Sequence, residues 1–161
     1  MAAPTKRPRL TRAAALLSSG LLGGCFLYGG ANVLYAFREV PLDVRLTFHT
    51  ALMSANSVVV QALMALTAAT CLLLAVRAAG VERLLAAAAT VATVAVFLLT
   101  RLGNVPINQD IKVWAATGPP TDYAELLARW EAFHLARVSC ALLAFVLIVA
   151  TTGLSTKEIQ P

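Results

Sequence analysis

Charge is scarce in this chain. Asp, Glu, Lys and Arg make up 13% of its 161 residues and hydrophobic residues 59%, where a soluble domain carries about 25% charged residues. Such a chain cannot hide its apolar surface in water, and its length leaves room for one domain. Acidic residues are the rarer sign, 8 against 13 basic, for a net charge of +5. None lies inside the first three apolar runs, which disfavours a small four-helix exporter, because coupled transport wants a carboxylate at membrane depth. Cysteine is sparse too. Cys25, Cys71 and Cys140 stand in separate apolar runs without CxxC spacing, so they carry no disulfide framework or redox motif and read as small buried side chains. His49 and His134 have no third ligand at a recognised spacing, and no metal site is expected.

What is present is long apolar sequence. Residues 1–12 read as a basic, unstructured tail in which Lys6, Arg7, Arg9 and Arg12 cluster. Beside an apolar run, such a cluster sets membrane orientation, and nucleic acid is not an expected partner. Residues 13–37 form an unbroken apolar run of 25, where about 20 suffice to cross a bilayer. Gly20 and Gly24 make a GxxxG pair there, with Gly23, Gly29 and Gly30 nearby. Small residues let helices approach closely in lipid, which allows either internal packing or a homo-oligomer through this helix. Leu22-Gly23-Gly24-Cys25 resembles a lipoprotein cleavage box, but the apolar run continues twelve residues beyond it.

Residues 38–48 read as a charged connection broken by Pro41, followed by a second helix over 50–77 with Asn56 and Gln61 at depth. Gly80 suits a tight return into a third helix over 81–102. Gly103 and Pro106 should end that helix. Ile107, Ile111 and Trp114 then share one face of a short amphipathic helix over 106–116, expected to lie in the interface with Trp114 as its anchor. Gly118-Pro119-Pro120 breaks it, and Asp122 with Glu125 resembles a capping box opening a fourth helix over 123–152. The fold class is therefore all-α: an integral membrane four-helix bundle over 13–154 with an interfacial helix and a tail over 155–161. The N-terminal tail, the 77–83 turn and the C-terminal tail hold seven Lys or Arg against six elsewhere. This predicts a multi-pass protein of a bacterial-type inner (plasma) membrane with both termini cytoplasmic.

Trp130, His134 and Arg137 fall at i, i+4 and i+7, putting an indole, an imidazole and a guanidinium on one stripe. They could equally anchor the helix at the interface. Asn104 and Asn108 flank Pro106 and could cap a helix break. Asn32, the amide of the first helix, is expected to face a helix or a cavity, and His49 opens the second helix at the same membrane face.

Taken together, Asn104-Val-Pro106-Ile-Asn108, Trp114, Pro119-Pro120-x-Asp122-Tyr123 and Arg129-Trp130-x3-His134-x2-Arg137 resemble the anthrone oxygenase-like family of small four-helix membrane proteins. Tyr123 stands where many relatives carry Trp, and Glu39-Val40-Pro41 matches the family's first connection more weakly. The resemblance implies a cofactor-independent oxygenase that converts an anthrone to an anthraquinone in polyketide pathways, with an aromatic substrate and dioxygen as its partners. Under that chemistry His134 is the expected base, Arg137 with Asn104 or Asn108 the oxyanion donors, and Trp130 the stacking wall. Trp114, His49, Asn32 and Arg129 are the further candidates for binding substrate. The competing expectation is a non-enzymatic membrane subunit, in which the same side chains serve packing alone.

Overall fold

A computed structural model describes the backbone of residues 7–157 and the side chains of 9–153; the expectations for residues 1–6 and 158–161 lie outside this range. Four long helices form the bundle. We label them α1 (7–39), α2 (Leu42–Arg77), α3 (Gly80–Thr117) and α4 (Tyr123–Lys157). All four are long and apolar enough to cross a membrane. Each packs on the next, and α4 closes the ring against α1. Outward faces carry Leu17, Leu21, Val58, Val59, Val91 and Val146, an apolar surface of the kind only lipid covers without cost.

Three layers fill the interior. At the end near the α2–α3 connection, Ala15, Cys71, Leu74, Ala86, Ala89, Ala144 and Ile148 pack together, and small side chains keep the helices close there. Leu22, Phe26, Met64, Val96, Val138 and Ala141 form the middle. The far end is bulkier: Leu34, Leu46, Ile107, Ile111, Trp114, Leu127 and Trp130. On α4 the buried positions 127, 130, 134, 138, 141, 144 and 148 recur every three or four residues, one face of a helix. Hydroxyls at depth are satisfied locally, as where Thr67 donates to the Leu63 carbonyl and Ser18 meets Thr70 at 2.8 Å. Gly20, Gly23, Gly29 and Gly30 all face α4 side chains, and only Gly24 of the expected GxxxG pair looks onto open space. The small-residue face is thus largely spent inside the bundle.

Several boundaries differ from expectation. α1 begins at Arg7, so the expected tail is helical from there, and Arg12 pairs with Glu82 at 2.5 Å across to α3. α2 begins at Leu42, not near 50, because Arg45, Leu46 and His49 already have buried positions to fill. The connection shrinks to Val40-Pro41. Glu131 then ties both arms to α4, accepting from Arg38 at 2.6 Å and Arg45 at 3.0 Å.

The separate interfacial helix does not form; α3 runs unbroken through Gly103 and Pro106 to Thr117. Residues Leu99–Asn104 widen into a π turn in which the Val105 N–H donates to the Thr100 carbonyl, five residues back. That wide turn ends two residues before Pro106 and opens the ladder where proline withholds its N–H. Gly103 serves close approach instead of ending the helix, since a Cβ there would collide with the Phe133 ring. Helix α3 stops at Gly118, whose φ of 89° suits glycine.

Candidate active site

Beyond Tyr28 the backbones of α1 and α2 part, and side chains bridge the gap. A cavity of about 640 Å³ occupies this space, lined by all four helices. Phe26, Gly29 and Phe37 come from α1, and His49, Asn56, Ser57 and Gln61 from α2. Thr100, Asn108 and Lys112 come from α3, and Trp130, His134 and Arg137 from α4.

The α4 stripe is the centre of one wall. His134 stacks on Trp130 with ring centroids 5.1 Å apart and planes 7° from parallel. Its Nδ1 receives two contacts from the Arg137 guanidinium, from Nε at 3.1 Å and Nη2 at 2.9 Å. A guanidinium only donates, so Nδ1 is the acceptor and the proton of the neutral ring sits on Nε2. The Nε2 edge rests on Gly29, where a Cβ would come within 3.2 Å of both Cε1 and Nε2. Arg137 also donates to Thr100 Oγ1 at 3.3 Å and lies over the Phe26 ring at 4.9 Å.

Two π turns therefore clasp this dyad. Gly29 belongs to the π turn Gly29–Val33 of α1, in which the Leu34 N–H donates to the Gly29 carbonyl. Thr100 belongs to the π turn of α3. Each neighbour of α4 widens its helix at the level where His134 or Arg137 needs a partner, and π turns often mark functional positions.

The second imidazole continues the wall. His49 stacks on Phe37 at 4.9 Å and meets the Trp130 indole edge-on at 4.4 Å. Its Nδ1 is enclosed without a hydrogen-bond partner. Beyond Phe37, Arg45 lies over that ring at 5.5 Å. Trp130 is fixed by its own indole N–H, which donates to Asn108 Oδ1 at 2.7 Å.

Of the residues singled out from sequence, His49, Asn108, Trp130, His134 and Arg137 line one cavity. Four others do not. Asn104 is fully buried and donates from Nδ2 to the Trp130 carbonyl at 2.9 Å, so it braces α4 and does not reach the cavity. Trp114 is a core residue among Ile107, Ile111 and Leu127, because α3 continues upward against α2 and α4 instead of lying flat. Asn32 is exposed on the outer face of α1. Arg129 is exposed as well, over Phe133 at 5.8 Å. Cys25 is exposed and touches the cavity, whereas Cys71 is buried as expected. Sequence reasoning missed Phe37, Phe26 and Thr100, which look like ordinary span residues. The polar trio Asn56, Ser57 and Gln61 left a usable signal: uncharged polar groups inside an apolar run tend to face a cavity.

Among the described residues, the cavity lining contains Arg137, Lys112 and two imidazoles, and no carboxylate. No group of three His, Cys, Asp or Glu side chains gathers among them that could hold a metal ion. The arrangement offers a flat aromatic surface, N–H donors from a half-buried guanidinium, and imidazole nitrogen.

The sequence profile of the anthrone oxygenase family matches residues 48–147. The chain belongs to that family. The matched stretch takes in every α2, α3 and α4 residue named at the cavity, while the α1 wall of this anthrone oxygenase family member lies outside it. No curated protein and no solved structure matches the chain.

Proposed function

We propose that this protein is a membrane-embedded oxygenase that oxidises an acidic polycyclic aromatic of the anthrone type with dioxygen, using no bound cofactor. The carrying observation is Arg137, a guanidinium in the wall of a cavity within the membrane span with no carboxylate among the described lining residues. A charge at that depth is retained when something offsets its desolvation, and an anionic ligand does so. An anthrone supplies that anion once deprotonated, since its carbanion is delocalised onto the carbonyl oxygen as an aryloxide.

The chemistry then asks little of the protein. Heterolysis of a methylene C–H bond sends the proton to a base and leaves the electron pair on the π system. The N–H donors of Arg137 stabilise the developing oxyanion. The electron-rich anion transfers one electron to dioxygen, the radical pair recombines as a carbon-bound peroxide, and protonation followed by loss of water leaves the quinone carbonyl. One oxygen atom is kept and the other leaves as water. Trp130 provides the stacking wall, Asn108 lines the same space, and Asn56, Ser57 and Gln61 suit phenolic hydroxyls on the ligand. The bias of positive charge favours both termini in the cytoplasm, with the cavity toward the opposite leaflet.

The test is oxidation of a hydroxyanthrone by the purified protein in nanodiscs under labelled dioxygen. We expect one labelled atom in the quinone, oxygen uptake equal to substrate consumed, and a loss of rate of about 100-fold or more in Arg137→Gln. A purified, folded wild type that neither accelerates oxidation nor binds the anthrone would overturn the proposal.

A further inference from the structure

We infer that His49, and not His134, takes the proton from the carbon acid, while His134 positions Arg137. This rests on the oxygenase reading above. A neutral imidazole has one lone pair. In His134 that pair is on Nδ1 and already accepts from Nε and Nη2 of Arg137, at 3.1 and 2.9 Å. A proton arriving at Nδ1 would face two guanidinium N–H groups, so the dyad would have to separate first. The other nitrogen, Nε2, carries the ring's proton and has no lone pair to offer, and its edge packs against Gly29, where an added Cβ would come within 3.2 Å. Both nitrogens of His134 are committed.

His49 is the opposite case. It lines the cavity, and no hydrogen bond engages either ring nitrogen among the described residues. Nδ1 is enclosed, which leaves Nε2 as the nitrogen for a ligand. Phe37 at 4.9 Å and Trp130 at 4.4 Å hold the ring plane, so the base is oriented before substrate arrives.

The order of contacts along the wall suits the substrate's own geometry. In an anthrone the acidic methylene and the carbonyl that receives the charge face one another across the central ring. Base and oxyanion donor must therefore stand a ring's width apart. His134 cannot satisfy this, being hydrogen-bonded to Arg137. His49 can, because it makes no bond to Arg137 and is linked to it only through Trp130, which it meets at 4.4 Å, and His134, which stacks on Trp130 at 5.1 Å. The tricycle then lies in the cavity along this wall, with its methylene at His49 and its oxygen at Arg137. The C–H pair stays on the ring system, and the proton goes to Nε2.

Proton removal can be read apart from oxygen chemistry. Wild type, His49→Gln and His134→Gln are placed in nanodiscs in deuterated buffer without oxygen, and deuterium entering the methylene of 1,8-dihydroxyanthrone is followed by mass spectrometry. We expect His49→Gln to lose catalysed exchange by about 100-fold or more, and His134→Gln to keep it within about 10-fold while binding the anthrone anion more weakly. His49→Ala supplies a second route, with exchange restored by added imidazole. Thermal unfolding and quenching of tryptophan fluorescence by the anthraquinone product report whether each variant is folded. Wild-type exchange in folded His49→Gln, or loss confined to His134→Gln, would overturn the assignment while leaving the oxygenase reading intact. Absence of both exchange and binding in the wild type would remove that reading and this assignment together.

Discussion

A methyl group added at Gly29 should separate the stability of this bundle from its chemistry. The Cβ of Gly29→Ala would sit 3.2 Å from Cε1 and Nε2 of His134, inside the optimum carbon contact of about 3.5–4.0 Å. The imidazole must retreat by a few tenths of an ångström. It has little freedom to do so, stacked on Trp130 at 5.1 Å and tied to Arg137 at 2.9 Å. On stability two effects oppose. Alanine is better than glycine inside a helix by about 0.8–1 kcal/mol, and Gly29 is not among the glycines with positive φ that would refuse a side chain. Forcing a methyl into a packed contact costs about 1–3 kcal/mol. The balance is a loss of roughly 0–2 kcal/mol, a fall in Tm of no more than about 8 °C for a chain of this size. Turnover should fall further, by about 10-fold, because a misplacement of 1 Å is worth about 100-fold. Thermal unfolding in nanodiscs and the rate of anthrone oxidation measure the two effects. Wild-type turnover at unchanged Tm would show that the imidazole's place is immaterial to the reaction. Failure to fold would show that the glycine serves the backbone and not the site.

Gly103→Ala should be worse for folding, by about 1–3 kcal/mol or more, because its Cβ would clash with the Phe133 ring; thermal unfolding should show part of the loss recovered in Gly103→Ala combined with Phe133→Leu. Glu131→Gln should cost about 3–5 kcal/mol, since it strands Arg45, whose side chain is 10% exposed and whose Nε is already without a partner. Arg38→Gln removes the other arm of the same carboxylate but should cost far less, because that arginine is 57% exposed. The two changes compared in one unfolding assay test whether burial or mere pairing sets the value of these bridges.

The spans were legible because hydrophobic length is a local property: a run such as 13–37 permits little but a membrane helix. The Trp130, His134 and Arg137 stripe was legible because helical spacing alone puts those residues on one face. Gly103 and Pro106 misled, since the rule that proline ends a hydrogen-bond ladder does not foresee a π turn that absorbs the missing donor. Asn104 and Trp114 carry motif weight, yet packing turned the first to a backbone carbonyl of α4 and the second into the core. Asn32 and Arg129 have the right chemistry on outward positions. Asn56, Ser57 and Gln61 were visible as polar residues in an apolar run, but nothing in their order said that they share a cavity with α4.

By itself the sequence determined the class of this protein, its four spans and the side chains able to do chemistry, because composition and periodicity act over one helix at a time. Only the tertiary structure decided which of the two imidazoles is engaged. His134 of α4 meets Gly29 of α1, and His49 of α2 meets Trp130 of α4, so each imidazole's setting joins helices far apart in the chain. Their meeting is set by how closely small residues let those helices pack.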